Sequence, residues 1–197
     1  MKYSDALLWK LELSGAALCT ALSLFLRELY TLCGRSLTGI LFGAVNHSIW
    51  EGAKTLLLPL LIWGLLVQLS ISPVFHRYLP VKVCAVSVSL LLYIGLSASV
   101  RQAVGCALWA ELSVTAVCAV FCAATTCLCY RSRLRWELCF APAAVAVFLL
   151  AAFYFSFTPF PPHNALFLDP DTGMYGVIPE HIDRGAAALD AMIKTGL

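Results

Sequence analysis

Asn46-His47-Ser48-Ile49-Trp50-Glu51-Gly52-Ala53-Lys54 runs without a break into the apolar segment 55–71. An apolar run near 20 residues, wound as a helix, crosses a bilayer core of about 30 Å. The polar side chains of the quoted stretch therefore stand at the mouth of a membrane span. Charge at that depth is costly unless a partner or water meets it. Ser48, with Glu51 three residues on, fits a capping box that opens the helix. Pro59 falls early in the span, where neighbouring helices absorb the lost hydrogen bond.

The rest of the chain has the same character. Of 197 residues, 61% are hydrophobic and 12% are charged, against about 25% charged in an ordinary soluble domain. Further apolar runs cover 7–29, 81–100, 104–129 and 138–157. The first follows Lys2 and Lys10 and is closed by Arg27-Glu28 with no small-residue cleavage site, so it reads as an uncleaved anchor. Glu12 is expected to snorkel or to pair with Lys10. Residues 30–45, with Gly34, Gly39 and Gly43, are too apolar for a solvated loop and are expected to fold back onto the bundle. Ser72 to Lys82 reads as a short basic loop and Arg101-Gln102 as a tight turn.

A net charge of +2 spread over short loops carries no nucleic-acid signal. The nine cysteines lie mostly within apolar runs and read as small packing residues, not as disulfides or a zinc site. Beyond residue 158 the chain turns to proline, glycine and aspartate, and Asp169-Pro170-Asp171-Thr172-Gly173 reads as a turn in preference to a calcium loop. A short amphipathic helix is expected from Pro179, with Ile182, Ala186, Leu189 and Ile193 on one face.

The fold class that follows is an all-α polytopic membrane bundle of five transmembrane helices in residues 1–158. A turn-rich tail with a short helix, residues 159–197, is expected to dock on it. The arginines of the 130–137 loop and the acidic tail place the N-terminus in the cytoplasm and the C-terminus outside. That topology gathers Glu28, Asn46, His47, Trp50, Glu51, Lys54, Glu111, Asp169, Asp171 and Tyr175 at the outer end. Glu111 is expected about 10 Å inside its helix, with Glu28 and Glu111 as partners of Lys54.

Leu26-Arg27-Glu28-Leu29, then Val45 to Glu51 running into Lys54 and Pro59, and finally Ala165 to Val177 resemble an uncharacterised family of bacterial multi-pass membrane proteins, the domain of unknown function six-five-one-two. Its pattern reads Leu-Tyr-Glu-Trp, then Val-Asn-Glu-Ser-Ile-Trp-Glu-His-x-Lys, then Pro-Leu-Phe-x-Asp-Pro-x-Thr-Gly-x-Tyr-Gly-Ile. The chain departs from it at Arg27, Leu29, His47 and Gly52, where the pattern has Tyr, Trp, Glu and His. The resemblance implies the membrane architecture and no particular activity.

Two functional classes stay open. One is a non-enzymatic membrane protein, whose polar pocket takes a small solute, a lipid or a membrane-protein partner. The other is a membrane-embedded hydrolase or transferase using Glu51, His47, Glu28 and Glu111, with a metal held by His47, Glu51 and His163 as a weaker variant. No HExxH, GxSxG or P-loop motif is present, no cofactor is expected, and no internal repeat points to a secondary transporter.

Overall fold

The computed structural model describes residues 5–177. The helices are α1 (Asp5–Leu32), α2 (Leu37–Phe42), α3 (Ile49–Ile71), α4 (Phe75–Val104), α5 (Leu108–Arg131) and α6 (Phe140–Ser156), the last preceded by a 3-10 turn at Trp136–Cys139. Among the described residues five helices, counting the 3-10 turn with α6, are long and apolar enough to cross a membrane. Among the described residues there is no strand, only an antiparallel bridge between Leu168 and Tyr175. The helix expected from Pro179 lies outside the described residues.

α1, α3, α4 and α5 form a closed four-helix ring in which α1 meets α3 and α5, and α4 meets the same two from the opposite corner. Their shared core is Leu56, Leu57 and Leu60 of α3, Ala85 and Val86 of α4, and Cys118, Ala119 and Cys122 of α5. All nine cysteines are free, and Cys19, Cys118, Cys122 and Cys127 are buried as small apolar side chains. α6 stands outside the ring on α4. Only Ala143 and Tyr154 of α6 are buried, so Val145, Phe148 and Leu149 face outward, where hydrocarbon would cover them.

Several boundaries differ from the sequence reading. The connection between α3 and α4 is only residues 72–74, and His76, Arg77, Pro80 and Lys82 belong to α4. Ser72, left-handed at φ 46°, ends α3 by giving its N–H to Gln68 O, and that abrupt stop leaves no room for a longer loop. Arg101 and Gln102 continue α4, which ends at Gly105 with φ 72°. Glu111 consequently sits in the first turn of α5, about 5 Å from its end, not 10.

The apolar 30–45 segment is a short helix folded against α1. A Cβ on Gly39 would stand 2.8 Å from Tyr30 Cα, and one on Gly43 2.8 Å from Tyr30 N. Glycine is therefore what lets α2 lie on the α1 backbone. Ala44 N–H then bonds to Leu26 O at 3.2 Å, which delivers residues 44–48 to the C-terminal end of α1.

Glu12 does not snorkel beside Lys10. It is 1% exposed and takes a hydrogen bond from Lys82 Nζ at 2.7 Å and from Tyr78 Oη at 2.7 Å. The pair joins α1 and α4 across the ring. Lys82 reaches Glu12 by laying its methylenes over Gly64, where a Cβ would sit 3.0 Å from Lys82 Cγ.

Candidate functional site

The quoted stretch splits at Ser48. Ser48 is the N-cap of α3, and its Oγ accepts from Glu51 N–H at 3.3 Å. Asn46 and His47 precede the helix, so His47 and Glu51 do not share a helical face. The reciprocal half of the capping box is absent, because Ser48 N–H bonds to Asn46 Oδ1 at 2.9 Å and leaves the Glu51 carboxylate for other partners.

That carboxylate serves a buried cluster. Lys54 Nζ donates to Glu51 Oε2 at 3.1 Å, to Thr158 Oγ1 at 2.8 Å and to Ile40 O at 3.1 Å. Thr158 in turn donates to Glu51 Oε1 at 2.8 Å, and Val45 N–H donates to Glu51 Oε2 at 3.1 Å. All three ammonium protons of Lys54 are thereby placed, and its side chain is 0% exposed. Burial on this scale holds only when charge is paired and every donor is met. Neither Glu28 nor Glu111 is the partner of Lys54.

Glu111 belongs to a second cluster. It lies between Arg27 of α1, with which it makes a close ion pair, and Arg101 Nη2 at 2.9 Å. Arg27 Nη2 also lies 2.9 Å from His47 Nδ1. A guanidinium can only donate, so Nδ1 is the acceptor and the imidazole proton sits on Nε2. His47 Nε2 faces Asp171 Oδ2 at 4.0 Å.

The tail is tied to both clusters. Asp169 is 2% exposed and accepts from His47 N–H at 3.1 Å, Thr172 N–H at 3.2 Å and Thr172 Oγ1 at 2.6 Å. It is thus the anchor of an aspartate turn closed by Gly173 at φ 68°. Asn46 Nδ2 donates to Gly176 O at 3.0 Å. Trp50 N–H, one of the donors a helix start leaves unmet, bonds to Leu166 O at 3.1 Å. The Trp50 ring packs between Phe157 and Phe167 at centroid distances of 5.2 and 5.4 Å.

A cleft of about 210 Å³ opens where these parts meet. Its walls are Arg27, Glu28, Thr31 and Arg35 of α1 and the turn after it, Val45 to His47, and Asp169, Asp171 and Thr172 of the tail. A Gly34-Arg35 pair, both left-handed at φ 60° and 62°, ends α1. A non-glycine residue in that region costs on the order of 1–2 kcal/mol. The side chains of Arg35 and Glu28 make no hydrogen bond or ion pair with other described residues.

A model for a family of unknown function, DUF6512, matches residues 5–177. The chain belongs to DUF6512. No curated protein and no solved structure matches it. Three of the positions where this DUF6512 chain departs from the pattern quoted above, Arg27, His47 and Gly52, border one small recess beside the cleft, with Arg101. Gly52 there faces Tyr93, whose Oη would be 2.3 Å from a Cβ.

Of the residues singled out from the sequence of this DUF6512 protein, Glu28, Asn46, His47, Asp169 and Asp171 line the cleft. Trp50, Glu51 and Lys54 do not; they lie behind Val45, under the tail. Glu111 stands behind Arg27. Tyr175 packs on His163 at 4.9 Å, and neither lines the cleft. Among the described residues no three His, Cys, Asp or Glu side chains converge at metal-binding spacing, so the set His47, Glu51 and His163 is not assembled. Sequence reasoning did not choose Arg27, Arg35, Arg101 or Thr158 as site residues, although it placed Arg101 at the same end of the bundle. The arginines carried a signal, standing at the ends of apolar runs, but nothing around Thr158 marked it.

The geometry limits the chemistry. A hydrolase or transferase built on Glu51, His47, Glu28 and Glu111 needs them around one reacting atom. Glu51 is committed to Lys54, Thr158 and Val45, and Glu111 to two arginines, each away from the cleft wall.

Proposed function

We propose that this protein is a membrane-embedded binding protein that takes a small zwitterionic solute in the cleft between α1 and the tail turn. The observation that carries this reading is the presence of Arg35 and Glu28, of opposite sign and unpaired among the described residues, on the walls of one cleft. Arg35 suits a carboxylate, which its planar fork can hold through two hydrogen bonds. Glu28, with Asp171 opposite, suits an ammonium group. A volume of about 210 Å³ is below the 300–1,000 Å³ typical of drug-sized ligands, and so favours a molecule of amino-acid size.

Unfolding of the purified protein, followed with a panel of small zwitterions, simple carboxylates and simple amines, tests the reading. A zwitterion at roughly a hundredfold over its Kd is expected to stabilise the fold by about 2.7 kcal/mol. Arg35→Gln and Glu28→Gln are each expected to abolish that gain while leaving the ligand-free protein unchanged. Equal stabilisation by a carboxylate or an amine alone would refute it.

The cleft is assigned to the outer side, with a cytoplasmic N-terminus and an extracytoplasmic C-terminus. Burial takes Lys54 from the cations of the cleft end and Lys82 from those of the opposite end, which leaves the balance between the ends unchanged. Exposed Arg131, Arg133 and Arg135 weigh on the opposite end of the bundle from the cleft, and short loops dominate the positive-inside rule. Reporters fused to the two termini are expected to be active on opposite sides, the N-terminal one in the cytoplasm. A C-terminal reporter active only in the cytoplasm would reverse the assignment.

A further inference from the structure

At the far end of the bundle from the cleft, α6 rests on α4 and leaves a groove between itself and α3. Leu61, Gly64 and Leu65 form one wall, Leu79 and Val83 the floor, and Val147 of α6 the other wall. The groove holds about 330 Å³ and is lined almost wholly by hydrocarbon. Lys82 borders it with its methylenes only, since its Nζ is turned to Glu12 at 2.7 Å. The groove ends beside Gln68 and Phe75, and Gln68 stands three residues from the end of α3, about 5 Å in, at the depth of the lipid glycerol.

Two observations bear on what would fill it. Gln68 Nε2 donates to Pro73 O at 3.1 Å, which fixes the amide, and its Oε1 is buried with no partner. An acceptor held this way needs a donor. The 131–136 loop is brought to the same end, because Arg77 on the first turn of α4 bonds to Tyr130 O at 2.9 Å and, by a closer contact, to Ser132 O. Arg133 and Arg135 of that loop are exposed; neither makes an ion pair within 4 Å among the described residues, and the charge of Arg135 also acts on the carboxylate of Glu137.

We propose that this groove is a binding site for an anionic, hydroxyl-bearing phospholipid. One acyl chain lies between α3 and α6, a headgroup hydroxyl donates to Gln68 Oε1, and the phosphate sits against Arg133 and Arg135. Basic residues beside an intramembrane groove recognise anionic headgroups in this way. A second copy of the chain is disfavoured, because a two-fold contact through this face would set the same arginine loop against itself. The site is independent of the cleft and of the solute proposed there.

Native mass spectrometry of the full chain in mild detergent, titrated with phosphatidylglycerol and with phosphatidylcholine of the same acyl chains, tests the proposal. Phosphatidylglycerol is expected to be retained as one equivalent, roughly thirtyfold more strongly, the ratio that two interfacial arginines supply. Arg133→Gln with Arg135→Gln is expected to bring the two lipids level. Val147→Trp fills the groove and is expected to expel the lipid, whereas Phe148→Trp, on the outward face beside it, is expected to retain it. Should Val147→Trp fail to fold, Leu65→Phe closes the groove from the other wall. Equal retention of the two lipids, undiminished retention with the groove filled, or a lipid-free dimer joined through this face would each overturn the proposal.

Discussion

Replacing Lys54 with alanine is expected to destabilise the protein by about 3–5 kcal/mol, the usual effect of removing one partner of a buried ion pair. The Lys54 side chain is 0% exposed and that of Glu51 3%, so water cannot take over the lost contacts. Glu51 would keep Thr158 and Val45 as donors but lose its counter-charge. Glu51→Gln is expected to cost a similar amount for the opposite reason, leaving a buried ammonium without an anion. The N-cap would survive that change, because Ser48 Oγ bonds to the backbone N–H of residue 51. The double variant Glu51→Gln with Lys54→Met buries no net charge and is expected to recover most of the loss. Equilibrium unfolding of the four proteins in one detergent measures this. A loss below about 1 kcal/mol for Lys54→Ala would mean that the pair is hydrated and behaves as a surface one. Because Thr158 bridges the pair to the start of the tail, the single variants should also loosen residues 158–177, seen as faster proteolysis there.

Glu12→Ala is expected to have an effect of the same size, about 3–5 kcal/mol, at the other end of the bundle. Lys82 would be left 4% exposed with its cation facing apolar side chains and Cys122. Tyr78→Phe removes only one hydrogen bond to that carboxylate and is expected to cost about 1.5–3 kcal/mol. The pair also has an architectural role. α1 and α4 stand at opposite corners of the ring, and Glu12 with Lys82 ties those corners through its centre. Loss of the tie should therefore raise the unfolding rate, while binding of the solute proposed for the cleft stays unchanged in the folded fraction. A Glu12→Ala protein of wild-type stability would show that packing alone holds the corners together.

The five apolar runs were readable because hydrophobicity is a local property, summed along the chain without reference to any neighbour. The errors at their ends share a cause. Ser72 to Lys82 looked like a loop because it holds His76, Arg77, Lys82 and two prolines, and a basic, proline-rich stretch is a sound loop signal in water. Here Arg77 caps carbonyls of the next helix and Lys82 is buried on Glu12, so both cations lie on a helix that starts at Phe75. The 44–54 stretch was visible as a cluster of costly polar groups, yet its division into a loop half and a helix half depended on Asp169 and Leu166, more than a hundred residues away.

The sequence by itself determined that the chain is a bundle of five membrane-length helices, that polar groups gather near residues 46–54, and which family the chain belongs to. Those properties rest on composition, spacing and contiguous motifs. Tertiary structure alone decided which charge meets which: Glu12 with Lys82, Glu111 with Arg27 and Arg101, and Lys54 with Glu51 on its own helix. A buried charge requires an opposite charge within reach, but that requirement names no residue. The partner is chosen by which helices stand side by side or corner to corner in the ring, and that order is set by the packing of all the helices together.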